Sequence, residues 1–253
     1  MYTNTINSFV DLAVKKVSTL RQNPLSLFIG SMMAGAYIGL GVILIFNVVV
    51  GITPEYQKLI MGCTFGVALT LVVFAGSELF TGHTMYMTLG CLDGKTNTLD
   101  LFRVWSLVWL GNFAGSIALC ALFFLTGDVN TLAATGSLLQ EIATTKMNSP
   151  AIALLAKGAL CNTLVCLALW ASARAKSDTA KCIIIFWCLL AFIASGYEHS
   201  IANMSLLTLA LIADHSTSVT IGGLFYNLFW VTLGNIIGGA GFVAYGYWKA
   251  SDR

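Results

Sequence analysis

Apolar residues in this chain come in long tracts, and six of them can be marked off near Leu27–Val50, Leu59–Leu89, Val104–Leu125, Ala151–Ser172, Cys182–Ile212 and Gly222–Trp248. A helix rises about 1.5 Å per residue, so each tract is long enough to cross a hydrocarbon core of about 30 Å. The second and fifth tracts run to about 31 residues, a length that suits a break in the middle. Ahead of the first, Ile6, Phe9, Val10, Ala13, Val17 and Leu20 recur at helical spacing, with Asp11, Lys15, Lys16 and Ser18 on other faces. Residues 1–24 are thus expected to form an amphipathic helix along the cytoplasmic interface, ended by Asn23-Pro24. Residues 25–253 are expected to form one six-span membrane domain.

Two tracts carry polar residues where hydrocarbon tolerates them poorly. In the fifth, Gly196-Tyr-Glu198-His199-Ser200-Ile-Ala-Asn203 places a carboxylate beside an imidazole. In the second, Gly76-Ser-Glu78-Leu79-Phe80-Thr81-Gly-His83-Thr mixes glycines, a carboxylate and hydroxyls with bulky apolar groups. Glycine loosens the backbone, and irregular backbone within a membrane needs protein or a water-filled cavity to satisfy it. Intramembrane ionisable groups point to a pathway, so His199 is a candidate pathway residue. The expected task of Glu78 and Glu198 is to hold backbone N–H groups at the breaks around Gly76 and Gly196. Half-helices that begin inside the membrane present free N–H groups with positive partial charge, a setting that favours small anions.

Composition fixes the class. Hydrophobic residues make up 57% of the chain and charged residues only 9%, which excludes an ordinary soluble domain and predicts an all-α integral membrane protein. The net charge of +2 and the lack of a polybasic run give no sign of nucleic acid. No separate targeting signal is visible, and the first tract starts too far in to be a cleaved signal peptide. Lys15, Lys16, Arg21, Lys95, Arg103, Arg174, Lys176, Lys181, Lys249 and Arg253 fall on one side of the expected spans, against Lys58 and Lys146 on the other. The excess assigns both termini to the cytoplasm. Lys157 lies within the fourth tract and must snorkel or face a vestibule; with Lys146 it could attract anions from outside. The seven cysteines avoid the expected external loops and suggest no disulfide framework. His215 is expected to be a solvated loop residue, and His83 to lie near the cytoplasmic half of the second span.

The glycines expose a repeat. Leu110-Gly111-Asn112-x-x-Gly115 matches Leu233-Gly234-Asn235-x-x-Gly238 at an offset of 123, and Gly76-Ser-Glu78 matches Gly196-Tyr-Glu198 at 120. Small residues four apart let helices approach closely in lipid. Two halves of three spans, residues 25–125 and 150–248, must insert with opposite orientation, and inverted repeats with broken helices place a permeation site between them. The expected fold is therefore six transmembrane helices in two inverted three-helix repeats, with the second and fifth spans broken.

At these residues the sequence resembles the formate/nitrite transporter family. The marks are Leu79-Phe80-Thr81, Lys157-Gly-Ala-Leu-Cys-Asn162 with Leu164-Val165-Cys166, and Gly196-Tyr-Glu-His-Ser-Ile-Ala-Asn-Met204. The run Glu78-Leu-Phe-Thr-Gly-His-Thr-Met85 is similar to the nitrite-channel branch in particular. The resemblance implies a homopentamer of aquaporin-like protomers, each with its own pore, in a bacterial inner membrane. It implies transport of a small anion, nitrite first and formate or a similar ion next, with no enzymatic activity and no cofactor. It places Leu69, Leu79 and Phe80 at a cytoplasmic constriction, and Phe65, Val165 and Phe192 at an external one. Thr81 and His199 would face the chamber between them, with Lys146 at the external approach and Asn162 and Asn235 near the pore. Lys157 departs from the apolar residue expected in the formate branch and weighs against formate as the main substrate. The paired Asn-Pro-Ala motifs of true aquaporins are missing, since proline occurs only at 24, 54 and 150.

The expected mechanism is that lysines gather an anion, which crosses an apolar ring and gains a hydrogen bond or a proton at His199. A bare charge would cross such rings only at a high desolvation cost. Three other readings are a channel for water, glycerol or ammonia, a membrane metal or redox protein built on His83, His199 and Glu198, and a receptor-like or purely structural membrane protein, which leaves the paired breaks unexplained. The second lacks a two-histidine ligand motif at helical spacing.

Overall fold

The computed structural model describes residues 2–133, 137–213 and 216–251, and those residues are helical with no strand among them. His215, expected in a loop, and Arg253, assigned to the cytoplasmic side, lie outside the described residues. Helix α1 (Thr3–Gln22) is followed by α2 (Pro24–Val48), α3 (Pro54–Ala75), α4 (Phe80–Leu92) and α5 (Thr98–Phe124). A short α6 (Val129–Leu132) and α7 (Leu138–Asn148) lead to α8 (Ala151–Arg174), α9 (Asp178–Ala194) and α10 (Ser200–Ile212). The chain closes with α11 (Ile221–Ile236), a π-helical stretch over Ile237–Tyr245 and a last turn, α12 (Gly246–Lys249).

Among the described residues, five helices are long and apolar enough to cross a membrane: α2, α3, α5, α8 and the continuous run Ile221–Lys249. Neither half of the expected fifth span reaches that length alone, because it is divided into α9 (17 residues) and α10 (13 residues). Both expected breaks are present. Gly76 and Gly196 adopt φ of +75° and +68°, a left-handed conformation that glycine enters without steric strain. Each closes its helix with a bond from the following residue, Ser77 N–H to Val72 C=O and Tyr197 N–H to Phe192 C=O, both 3.0 Å.

Local sequence sets the other ends as well. Asn23 stops α1 and caps α2, its Oδ1 accepting from Ser26 N–H at 3.1 Å ahead of Pro24 in the first helical position. Asn97 caps α5 in the same way, 2.8 Å from the Asp100 amide. The buried face of α1 is the one its periodicity gives: Ile6, Phe9, Val10, Ala13 and Val17. That face does not look outward, as a helix lying along an interface would suggest. It packs on Met85 and Leu89 of α4, Cys166 and Trp170 of α8 and Val243 of the π-helical stretch. Phe9 stacks between Tyr86 and Trp170, with ring centroids 5.2 and 5.7 Å away. An amphipathic pattern shows that a face is buried without showing against what.

Two helix pairs meet at backbone distance. A Cβ on Gly35 of α2 would collide with the carbonyl of Asn112 on α5, and one on Gly115 with that of Met32. Correspondingly, a Cβ on Gly234 of α11 would strike the carbonyl of Leu155 on α8, and one on Gly238 that of Ala159. The four-residue glycine spacings therefore serve close packing. Outward, α2 presents Leu25, Ile29, Met33, Leu40 and Leu44, exposed apolar side chains suited to hydrocarbon. The chain is an integral membrane protein.

Candidate functional site

The two breaks leave backbone groups that no helix can satisfy, and two buried asparagines take them up. Asn112 of α5 accepts from Phe80 N–H at 2.9 Å through Oδ1 and donates from Nδ2 to Glu78 C=O at 2.8 Å and Ser31 C=O at 2.7 Å. Asn235 of α11 accepts from Ser200 N–H at 2.9 Å and donates to Glu198 C=O at 3.0 Å and Gly158 C=O at 2.8 Å. The amides of Glu78 and Glu198 donate to Gly30 C=O at 3.1 Å and Lys157 C=O at 3.3 Å. Each of these four bonds at one break thus has a counterpart at the other. Asn162 joins the second set, with Nδ2 within 2.8 Å of Thr84 Oγ1, 2.6 Å of Asn235 C=O and 3.2 Å of Thr81 C=O. Asn162 and Asn235 therefore sit beside the site with their amide groups already engaged in holding it.

The carboxylates do something other than hold break amides. Glu78 reaches Lys16 of α1 at 2.5 Å through Oε1, and its Oε2 lies 3.2 Å from His83 Nε2. Glu198 Oε2 accepts from Lys146 Nζ and from Asn203 Nδ2, each at 2.7 Å. Asn203 also donates to Asn227 Oδ1 at 2.8 Å, and Asn227 returns to Lys146 C=O at 3.0 Å. In each half a lysine from a helix that runs beside the spans meets the glutamate of the break. Lys146 belongs to α7, a helix hidden in sequence between spans, and its side chain is only 15% exposed.

Two cavities flank these groups. On the side of α1, a cavity of about 390 Å³ is lined by Lys16, Glu78, His83 and Lys181, with Leu69 and Leu79 at its apolar wall. On the side of α7, a cavity of about 340 Å³ is lined by Lys58, Lys146, Lys157, Glu141 and Glu198, with Phe65, Phe192 and His199. Lys157 is exposed and faces this second cavity. Phe65 and Phe192 meet edge to face with centroids 5.9 Å apart, and Val165 is buried. Phe80 is buried near Trp105, at 6.2 Å, and lines a groove of about 630 Å³ between α5 and α11.

Thr81 and His199 come together at the centre. Their side chains, 0% and 3% exposed as residues, are joined at 3.2 Å between Thr81 Oγ1 and His199 Nε2. His199 is the N-cap of α10, its Nδ1 3.1 Å from Ala202 N–H. An amide only donates, so Nδ1 accepts and the proton of the neutral ring sits on Nε2. Phe192 stacks on the imidazole, with centroids 5.9 Å apart and planes 15° from parallel. The outcome is an Nε2–H directed at the Thr81 hydroxyl, with Phe192 stacked on the ring and the α7-side cavity beside it.

Some participants were invisible in the sequence. Lys16 reads as a solvated lysine on the polar face of α1, and only the packing of α1 brings it to Glu78. Asn227 sits without context in an apolar run. The π-helical stretch has no sequence signature; it runs beside the site, where a Cβ on Gly239 would meet the Thr84 hydroxyl and Asn162.

Known proteins resemble this chain along nearly its whole length. The formate/nitrite transporter family profile matches residues 3–249. The chain is 47% identical over 253 residues to the nitrite transporter NirC of Escherichia coli K12, covering all of this chain and 94% of the relative. It is 34% identical over 203 residues to the formate channel FocA of Haemophilus influenzae, covering 72% of this chain and 70% of the relative. A solved structure described as an FNT family ion channel superposes with a TM-score of 0.96 at 47% identity, covering 98% of this chain and 99% of the other. A pentameric formate channel with formate bound superposes at 0.79 and 29% identity, covering 91% and 98%. The chain belongs to the formate/nitrite transporter family.

Proposed function

We propose that this protein is a membrane channel or transporter for small monovalent anions, nitrite foremost, working as a homopentamer in a bacterial inner membrane. The proposed protomer has six spans, α9 and α10 together making the fifth, arranged as two inverted three-helix repeats in an aquaporin-like fold. The matched bonds of Asn112 and Asn235 support that repeat, and the excess of lysine and arginine on the α1 side supports a cytoplasmic position for both termini. The relatives support the substrate class: one is a nitrite transporter, and a solved relative is a pentamer with formate bound.

The observation that carries the reading is the Nε2–H of His199 beside the Thr81 hydroxyl, between two apolar layers. Lys58 and Lys157, beside the Lys146–Glu198 ion pair, raise the local anion concentration in the α7-side cavity. An anion passing Phe65 and Phe192 loses hydration and gains a donor at His199, which lowers the desolvation cost. For His199 to become a proton donor as imidazolium, Nδ1 would have to release the Ala202 amide and uncap α10. The geometry therefore favours polarisation of the anion over proton transfer from the ring. Both ring nitrogens being engaged also weighs against His199 as a metal ligand.

The test is uptake of nitrite, formate and chloride into proteoliposomes carrying an internal pH dye. Nitrite entry faster than formate supports the nitrite assignment. Entry without proton movement fits polarisation at His199, and proton-coupled entry points to another proton source. Rapid water or glycerol flux with no anion flux would replace the reading by an uncharged-solute channel.

A further inference from the structure

The two breaks share their asparagine and lysine bonds but differ at the fifth residue after the glutamate. After Glu198 this is Asn203, whose Nδ2 lies 2.7 Å from the carboxylate. After Glu78 it is His83, whose Nε2 lies 3.2 Å from the carboxylate. Asparagine has one charge state, whereas histidine has two. Otherwise the pairs agree, each carboxylate also holding a lysine from a flanking helix.

The second nitrogen of His83 fixes which state the surroundings call for. Nδ1 lies 2.9 Å from Leu79 C=O, which can only accept, so Nδ1 carries a proton. A neutral ring would then turn a bare lone pair at Nε2 toward a carboxylate oxygen. A proton on Nε2 turns that contact into an attraction between opposite charges, at an angle outside that of a hydrogen bond, and leaves Nδ1 with its acceptor. The residue is 1% exposed, so bulk water offers no alternative partner.

We propose that His83 and Glu78 form a proton-binding site that sets the charge of the α1-side cavity according to the pH on that side. This rests on the anion-transport reading. With the proton bound, His83 offsets Glu78 and the Lys16 ammonium remains as net positive charge facing the cavity. Without it, Glu78 and Lys16 cancel, as Glu198 and Lys146 do at the other break. Anion attraction on the α1 side accordingly falls as pH there rises, while the Asn203 counterpart gives the α7 side no such switch.

The other groups around His83 leave this balance intact. Besides Glu78 from the break and Lys16 from α1, Lys181 of α9 lines the cavity with its ammonium paired to Asp178 at 2.9 Å, and Tyr86 sits one turn on in α4, with its ring centroid 5.6 Å from the imidazole. From α5, Trp105 Nε1–H donates to the His83 carbonyl at 3.0 Å; Asp100 is engaged by Arg21, and Arg103 is exposed. α8 adds Leu169, Ser172 and Ala173 to the cavity, and the π-helical stretch contains no charged residue.

The test is nitrite current across a planar bilayer with pH set separately on each side. As α1-side pH is raised from about 5 to 8, the range in which histidine changes charge, wild-type current should fall several-fold. His83→Asn, which copies the other break, should show a flat profile at the wild-type high-pH level. A His83→Asn profile that still falls with α1-side pH would overturn the proposal. Nitrogen NMR of histidine-labelled protein, with His83 assigned by its loss in His83→Asn, reads the site without transport. Both His83 nitrogens should be protonated at the low end of the range, and a bare Nε2 throughout would overturn the proposal. Absence of any wild-type anion current would instead remove the transport reading, and the NMR titration would still decide the proton site.

Discussion

His199 Nε2 and Thr81 Oγ1 stand 3.2 Å apart, one from the start of α10 and the other from the start of α4. The two half-helices thus meet through side chains at their first residues, where each break places them. Because the opposite nitrogen of His199 caps α10, the ring has a structural and a functional role that substitution can separate. His199→Asn retains a capping oxygen and removes the Nε2–H, whereas His199→Ala removes both. A hydrogen bond to a charged partner contributes about 1.5–3 kcal/mol, which corresponds to roughly tenfold to a hundredfold in rate. Nitrite flux should fall by that order in both variants. Thermal unfolding in detergent should show His199→Ala destabilised by about 1 kcal/mol and His199→Asn close to wild type. Unchanged nitrite flux in His199→Asn would remove the ring from the pathway.

Thr81 is the second polar group at the centre, and its methyl and hydroxyl can be tested apart. Thr81→Val keeps the shape and removes the hydroxyl, so nitrite flux should drop while apolar packing is preserved. Thr81→Ser keeps the hydroxyl and should retain most of the flux. The comparison is read as initial uptake rates in liposomes with matched protein content. If the valine variant conducts like wild type and the serine variant does not, the methyl group matters and the hydroxyl has no role.

The breaks were legible in the sequence because Gly76 and Gly196 interrupt apolar tracts next to residues that hydrocarbon excludes. Asn112 and Asn235 were legible as a repeated motif, and the structure gives the repeat its purpose as backbone partners. The carboxylates of Glu78 and Glu198 were expected at break amides, but asparagines from neighbouring helices approach those amides closely enough to take them. Their actual partners, Lys16 and Lys146, come from helices whose docking no local pattern encodes. α7 is an 11-residue helix between spans and offers too short a pattern to stand out. Even His83 and His199, similar as letters, differ in which nitrogen meets a donor and which meets an acceptor.

Lys146 and Glu198 form a largely enclosed ion pair, so removing one partner leaves a charge with little water around it. Lys146→Met should lower thermal stability and nitrite flux together. Adding Glu198→Gln, which removes the stranded charge and keeps an acceptor for Asn203, should restore much of the stability and, because the native pair carries no net charge, much of the flux as well. Recovery of both together shows that the pair acts through its neutrality. A double variant no more stable than the single one would show that the carboxylate is not stranded by loss of the lysine.

Asn112 and Asn235 offer the sharpest test of the paired breaks, because each satisfies one break amide and two carbonyls with one side chain. Leucine at either position fills a similar volume and leaves those groups without a partner in a region that water does not reach. Each buried group left unsatisfied costs about 1–3 kcal/mol, so three at once remove a large share of the about 5–15 kcal/mol margin of a typical fold. Asn112→Leu and Asn235→Leu are each expected to yield little folded protein by size-exclusion chromatography. Aspartate keeps the acceptor for Phe80 or Ser200 N–H but replaces the donor, setting an anionic oxygen against two carbonyls. It should therefore fail as leucine does. Glutamine is longer by one methylene and should recover part of the yield, since it carries both kinds of group. If the two sites respond alike through all three substitutions, the breaks depend on the same bonds; a well-folded leucine variant at either site would show that its asparagine does not hold the break.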